Sequence, residues 1–505
     1  MKNKQIFPYL GILFISLFSL MPVNFFGQAV LGTGFNKAEL GSRPLASTKA
    51  SAHIKHIRFG STSNPINGLT ITWRSKGAKD SIRWGYSNSY EKGKFLGVKR
   101  DGYEDNFYDY NFPVLTPNET IYYKIYDSNA SGWTQEKTYS TADDVNNTKF
   151  SFLAMGDSRT NVDDWHDVSN AANTNSTDFT LFTGDIVSKG GDSEDWNEWF
   201  EYGEDFLEKN LVYHTIGNHE CRSGGVDVYA NNFCLPENPA GTKFYYSFTY
   251  GNAVFICLDT EEGSTPTEVA IQYAWLKDVL QANADKTWKI VWFHRPFYTT
   301  GSHAGEMNSK MNTWFDAFDT YGVDMIFNGH DHMYERTKPI QKNTKVVDEY
   351  GSGAGQGRCQ IVCGGAGAPL YNPGSASWLA ASAKKFHYCK IEIDGYDLNL
   401  EVYDENNTMF DDLKIHKDVV SSVNEPGLIS KVSIYPNPTS DKVTVGGDLS
   451  EISTIKIYNT QGQDFSQLVK FVKKGRKSII ADLSALPLGL YLMKTQHTTH
   501  KIFKK

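Results

Sequence analysis

The sequence predicts a multidomain chain: a β-sandwich, then a larger α/β layered domain, then a small β-rich module. Three observations predict this. Residues 50–145 form short runs of strand-like alternation with turn signals between them. From residue 146 to 415, apolar strand-like runs alternate with helix-like stretches. After a linker at 416–430, residues 431–505 return to short strands with turns of their own. A length of 505 residues suits about three or four domains at roughly 150 residues each.

At the N-terminus, Lys2 and Lys4 precede an apolar run from Ile6 to about Phe26, and small residues follow at Gly27 and Ala29. This pattern predicts a secretory signal peptide over residues 1–28. A retained anchor is the competing reading, but Pro8, Pro22 and Asn24 break the run. No other stretch is apolar for long enough to span a bilayer, so no transmembrane segment is expected in the mature chain.

In the sandwich, strands are predicted at 69–73, 82–86 and 119–126, the last closed by Asp127-Ser128-Asn129. No His, Asp or Cys cluster stands out there, which suits an accessory domain. In the α/β region strands are predicted at 149–155, 179–183, 211–215, 254–258, 289–293 and 323–327. Helices are predicted near 162–173, around Trp196, Trp199 and Phe200, near 267–282 and near 305–320. A glycine-rich stretch at 351–357 and paired strands near 387–404 close the domain.

Net charge is -8, and the only long basic run is at the extreme C-terminus. No nucleic-acid partner is expected on that basis. An anionic small substrate stays compatible, because a metal site supplies its own positive field. All six cysteines lie between Cys221 and Cys389. Export permits disulfides, and Cys221 with Cys234 is the best candidate pair. Cys257 and Cys389 sit in apolar runs that suit buried thiols. The absence of C-x-x-C argues against a cysteine zinc knuckle.

The densest ligand signal is Gly329-His330-Asp331-His332, just after the strand at 323–327. If the backbone stays extended, the two imidazoles project to one side. On a turn they fork around a pair of ions. Four further motifs follow apolar strands: Gly156-Asp157, Gly184-Asp185, Gly217-Asn218-His219-Glu220 and His294. Glycine before a ligand permits a tight strand-to-loop bend. Together Asp157, Asp185 and Asn218 offer oxygen, and His294, His330 and His332 offer nitrogen. That mixture suits iron, manganese or zinc better than calcium. Six ligands exceed what one open site needs. Two ions sharing a carboxylate, about 3.5–4 Å apart, suit in-line displacement at phosphorus.

This motif set resembles the calcineurin-like metallophosphoesterase family. The tails His294-Arg295-Pro296-Phe297-Tyr298 and Gly329 through Arg336 are similar to the purple acid phosphatase branch. The sandwich resembles that branch's fibronectin type III-like N-terminal domain. The resemblance implies a four-layer α/β metallophosphatase domain, a β-sandwich flanked by helices. It implies that Asp157, Asp185 and His332 hold one metal, and that Asp185, Asn218, His294 and His330 hold the other. His219, and by the same token His303, would touch the phosphoryl group or protonate the leaving oxygen. The implied cofactors are two metal ions, iron with zinc, manganese or a second iron. The implied substrate is a small phosphate ester: a monoester cleaved by a metal-bound hydroxide, with a diester as the alternative.

Two departures stand out. The purple branch has Tyr three residues beyond the second motif's Asp, and here that residue is Ser188. Other branches have Asp-x-His in the first motif, and here it is Asp157-Ser158-Arg159. Water or Ser188 would fill the gap. Arg159 has no lone pair to offer a metal. It is placed either to fork onto a substrate phosphate or to form an ion pair. These departures keep open a reading from another class, a surface binding protein with a degenerate phosphatase domain.

The C-terminal module resembles the type A sorting domain of the type IX secretion system, a small β-sandwich. The residues that carry the likeness are 433–439, 455–459, 486–491 and the basic end 501–505. This implies export through the periplasm, handling by outer-membrane secretion machinery, and release or attachment at the cell surface.

Overall fold

The computed structural model describes residues 54–418 and 433–505, apart from 103, 145, 262–264, 308–311, 343–344, 352–354, 436, 447–454, 460–461, 474–477 and 496–498. The predicted signal segment, most of the predicted linker and part of the glycine-rich stretch lie outside the described residues. The chain separates into two compact units, Met1–Ile415 and His416–Lys505.

The first unit begins with two antiparallel sheets. One has the order Lys55–Ser61, Leu69–Ser75, Asn106–Asn111, Val98–Arg100. The other runs Gly93–Leu96, Ser81–Gly85, Thr120–Asp127, Gly132–Trp133, with Lys137–Ser140 also on Thr120–Asp127. Thr120–Asp127 alternates half-buried and buried residues along its whole length. This is the two-residue period of a strand with one face in a core. Trp73 and Tyr108 of one sheet and Trp84, Ile121 and Tyr123 of the other are buried in one hydrophobic cluster.

Two larger mixed sheets follow. The six-stranded one has the order Val212–His214, Phe179–Phe182, Lys149–Met155, His387–Asp394, Asp397–Asp404, Met409–His416. The seven-stranded one runs Tyr246–Tyr250, Ala253–Cys257, Trp288–Trp292, Met325–Asn328, Cys359–Cys363, Tyr334–Thr337, Leu379–Ala383. The sheets meet through aromatic side chains. Phe152 of the first packs edge-on against Phe255 and Phe327 of the second, with centroids 5.3 and 6.1 Å apart. Helices Val162–Ala172 and Ser193–Tyr202 pack on the first sheet, where Trp165 meets Phe182 and Trp199 meets His214. Helices Pro266–Ala282 and Asn312–Tyr321 cover the second through Leu276, Leu280, Trp314 and Phe318. The order is helix, sheet, sheet, helix. Helix Pro266–Ala282 starts where local chemistry dictates: Thr265 and Glu268 form a capping box, and Pro266 takes the first turn.

Two expectations need correction. The helix predicted near 305–320 is described as Asn312–Tyr321, and residues 301–307 are turns. Gly305 there has φ +90, outside the helical region. Cys221 and Cys234 are not joined by a disulfide. Cys257 and Cys389 are buried thiols, as their apolar strands predict.

In the six-stranded sheet Lys149–Met155, Phe179–Phe182 and Val212–His214 run parallel, with Met155 paired to Phe182 and Phe182 to His214, and in the seven-stranded sheet the central strands do, with Trp292 paired to Phe327. Their C-terminal ends therefore share an edge, and the loops that leave it converge, as at crevices of α/β sheets. Among the described residues no helix is long and apolar enough to cross a membrane.

The second unit has sheets Ser433–Tyr435, Lys442–Gly446, Ser478–Asp482, Lys470–Lys473 and Lys456–Asn459, Gly489–Lys494, Thr499–Lys504. Val443, Val445, Ile457, Met493 and Ile502 form their shared core. The basic end is partly internal here: Lys504 Nζ donates to the carbonyls of Ser484 and Leu486 at 3.0 and 2.5 Å.

Candidate metal centre

All five predicted motifs lie on loops that leave the shared edge. Asp157 follows Lys149–Met155, Asp185 follows Phe179–Phe182, Asn218 and His219 follow Val212–His214, His294 follows Trp288–Trp292, and His330 follows Met325–Asn328. Three of these residues sit in the left-handed region: Asp157 at φ 59, Asp185 at φ 51 and His330 at φ 72. For non-glycine residues this costs on the order of 1–3 kcal/mol each, and such strain gathers at functional sites. Hydrogen bonds hold it. The Asp157 carboxylate accepts the His330 backbone N–H at 2.9 and 3.1 Å, and its own N–H donates to Gly184 O at 2.9 Å. Asp185 Oδ1 accepts the His219 N–H at 3.0 Å.

The glycines act mostly through size rather than backbone freedom. Of those preceding ligands, only Gly184 is left-handed, at φ +91. At Gly329 a Cβ would stand 2.1 Å from Asp157 Oδ2, and at Gly217 it would stand 2.4 Å from Asp185 Oδ1. A side chain at either place would displace a carboxylate from the site.

The donors gather in two triads that share Asp185. One is Asp157, Asp185 and His332, and the other is Asp185, His294 and His330, each with ligand atoms within 4.8 Å of one another. In the second, His294 Nε2 faces Asp185 Oδ1 at 3.2 Å, Asn218 Oδ1 at 3.0 Å and His330 Nδ1 at 3.1 Å. In the first, His332 Nε2 faces Asp157 Oδ1 at 3.7 Å. His330 and His332 thus fork, because 330–333 is a bend rather than an extended strand. The second nitrogen of each imidazole is taken. His294 Nδ1 donates to Thr183 O and His332 Nδ1 to Pro369 O, both at 2.9 Å. His330 Nε2 meets Glu306 Oε2 at 3.0 Å. Such partners fix the tautomer and aim the remaining lone pair.

Burial with several lone pairs converging is costly unless a cation lies among them. Protons and cationic side chains take that part in the protein alone. Burial opposes a charge on His294, but Asp185 and Asp157 raise its pKa to about 10. Burial raises Asp157 well above the carboxylate range, with His294 pulling the other way. Burial acts the same way on Asp185, yet His294 and His219 hold it well below that range. His332 is pushed down to about 4 by burial and by Arg159. The donor set therefore fits one or two divalent or trivalent transition ions, which would take the place of these charges.

The remaining predicted residues lie around the triads. His219 Nδ1 donates to Ser188 O at 2.7 Å, and its Nε2 stands 3.7 Å from Asp185 Oδ2. Arg159 reaches Asp185 Oδ2 at 3.3 Å and His332 Nε2 at 3.1 Å. The His303 ring lies 3.9 Å from that of His330, and its Nδ1 meets Glu306 Oε1 at 2.8 Å.

Four neighbours carried no functional role in the sequence reading. Glu306 joins His303 and His330 in a third cluster of donors. Arg295 bonds Glu306 and clamps Glu261 at 2.7 and 3.0 Å. Glu306 has one faint signal, its i,i+3 spacing from His303. Glu220, directly after His219, is fully buried and accepts four backbone N–H groups: Asp185, Ile186, Val187 and Gly217, at 2.8–3.1 Å. It pins the Asp185 loop to the Asn218 loop. Glu220→Gln turns one acceptor oxygen into a donor facing two of those N–H groups. We expect a loss of about 2–4 kcal/mol of stability, as two buried donors lose partners. Denaturant unfolding of the two proteins checks it; equal midpoints would sink this role for Glu220.

Residues 150–334 match the family model described as calcineurin-like phosphoesterase, and residues 433–505 match the secretion system C-terminal sorting domain. Among curated proteins, the chain is similar to purple acid phosphatase 15 of Arabidopsis thaliana, 30% identical over 155 residues, covering 29% of each chain. It is similar to that plant's Fe(3+)-Zn(2+) purple acid phosphatase 12, 29% identical over 180 residues, 32% of this chain and 37% of the other. A probable inactive purple acid phosphatase 27 from the same plant is 28% identical over 285 residues, 49% of this chain and 45% of the other. The chain thus spans less than half the length of these relatives. Among solved structures, a purple acid phosphatase from yellow lupin (Lupinus luteus) seeds shares the fold, with a TM-score of 0.61 at 19% identity, covering 72% of this chain and 75% of that one.

Proposed function

We propose that this chain, which carries a calcineurin-like phosphoesterase domain and a C-terminal secretion-system sorting domain, is an exported two-metal phosphatase that hydrolyses phosphate monoesters. The observation that carries the reading is the pair of donor triads joined at Asp185. Asp157 and His332 with Asp185 would hold one ion; Asn218, His294 and His330 with Asp185 would hold the other. Ions held there supply Lewis acidity toward the phosphoryl oxygens and an activated water. His219 is the candidate proton carrier at the leaving oxygen. Its ring is oriented by Ser188 O, with Nε2 on the Asp185 side. His303 stands beside the second triad, where a phosphoryl group would reach it. The leading pair of sheets fits a fibronectin type III-like accessory module. Iron paired with zinc, manganese or iron is the cofactor set the family likeness favours.

The test is metal content together with turnover of a chromogenic monoester and the matching diester. Two ions per chain with monoester turnover support the proposal. Preference for the diester would move the substrate class but keep the fold's chemistry. Two intact triads argue against the degenerate alternative, and metal uptake without turnover of either ester would favour it.

We propose also that export removes both ends, the segment before about residue 29 and the module from about 431. Intact mass of the protein recovered from culture fluid or the cell surface checks this. A chain still ending at Lys505 would refute it.

A further inference from the structure

The first triad contains an unusual neighbour. Arg159 Nε lies 3.3 Å from Asp185 Oδ2, and Arg159 Nη2 lies 3.1 Å from His332 Nε2. Asp185 and His332, with Asp157, make up that triad. A guanidinium has no lone pair, so here it is a competitor for the donors rather than a ligand. Nor is it loosely placed. Arg159 Nη1 donates to Thr160 Oγ1 at 3.1 Å, and Thr160 Oγ1 meets Ser188 Oγ at 3.2 Å. Thr160 has φ 80, a backbone state that β-branched residues rarely adopt. The turn thus carries strain at the residue that steadies the guanidinium. The Arg159 side chain is 16% exposed, which leaves it a way out toward solvent.

We propose that Arg159 is a resident cation of this centre: it neutralises the Asp157–Asp185–His332 triad in the metal-free protein, and the triad takes up an ion only as Arg159 swings away. The inference rests on the two-metal reading above. Its physical basis is charge. A buried carboxylate cluster needs positive charge nearby, and Arg159 supplies it without an ion. The same charge repels an incoming divalent ion at a few ångströms. In the triad with His294 and His330, His294 faces the other oxygen of the shared carboxylate, Asp185 Oδ1, and the nearby Arg295, 3.1 Å from His330 Nε2, is already paired with Glu261 and Glu306. The two positions should therefore fill unequally, with the Arg159 triad the weaker and later of the two. Once displaced, the guanidinium is free to fork onto a phosphate oxygen.

The test is calorimetric titration of Zn²⁺ into chelator-treated protein, with thermal unfolding of the metal-free forms. For the wild type we expect two unequal sites. Arg159→Ala should tighten the weaker site by about tenfold or more while lowering the unfolding temperature of the metal-free protein. Arg159→Lys keeps the charge and should keep the weaker site weak. A residue that only shaped the loop would move affinity the other way when removed. Unchanged or weakened Zn²⁺ affinity in Arg159→Ala, with two ions still bound by the wild type, overturns this proposal alone. A wild type that binds no ion overturns the metal centre, and this proposal with it.

Discussion

Asp185→Asn is expected to lower metal affinity by about 100-fold or more and to reduce ester turnover in step. Changes to groups that merely support ligands cost 10–100-fold, and Asp185 is common to both triads. The geometry explains why the amide is a poor replacement. Oδ1 accepts the His219 N–H and faces His294 Nε2, while Oδ2 faces Arg159 Nε. Every partner on both sides is a donor in the metal-free protein. An Asn must turn its NH₂ toward one of them, so one set of contacts becomes donor against donor. The negative charge that keeps His294 protonated is lost as well. Elemental analysis after equilibrium dialysis, with turnover measured on the same samples, decides the matter. Two ions per chain and near-normal turnover would show that Asp185 does not bridge.

His219→Ala should separate chemistry from binding. Its backbone N–H, which bonds Asp185, survives the substitution, so the Asp185 loop keeps its support. Only the imidazole is lost, with its bond to Ser188 O. Metal content should stay near the wild-type value, while turnover falls roughly 10²–10⁴-fold, the usual cost of removing an acid–base group. The loss should shrink for esters whose leaving group needs no proton, such as nitrophenolate, and be largest for alkyl phosphates. A loss of equal size across leaving groups would make His219 a phosphoryl contact instead. Metal content falling in parallel with turnover would make it part of the metal site.

The parts of this site that are legible in sequence are those encoded locally. Gly156-Asp157, Gly184-Asp185, Gly217-Asn218 and Gly329-His330 each follow an apolar run, and all the runs are strands whose ends share one edge. Strand periodicity and residue chemistry suffice to name such donors. The reason for their glycines was not legible. At Gly217 and Gly329 the constraint is a carboxylate from another loop, Asp185 and Asp157 respectively, far away along the chain. The helix near 305–320 misled for a related reason. Its first part has helical composition, but the turn at 301–307 instead carries His303 and Glu306 to His330.

The sequence by itself determined the order of the modules and the α/β alternation and named six candidate donors, because each rests on residue type and short-range spacing. Only the tertiary structure decided how those donors divide. Left-handed backbone at Asp157, Asp185 and His330 sets the side-chain directions, and long-range hydrogen bonds rather than local propensity sustain it. The same holds for the buried Glu220 that ties two loops by four N–H bonds, and for Arg159 against Asp185 and His332. A guanidinium and a carboxylate 26 positions apart, or an imidazole 173 away, have no signature in spacing. Their meeting is fixed by the packing of the two sheets, which brings separate strand ends to one edge.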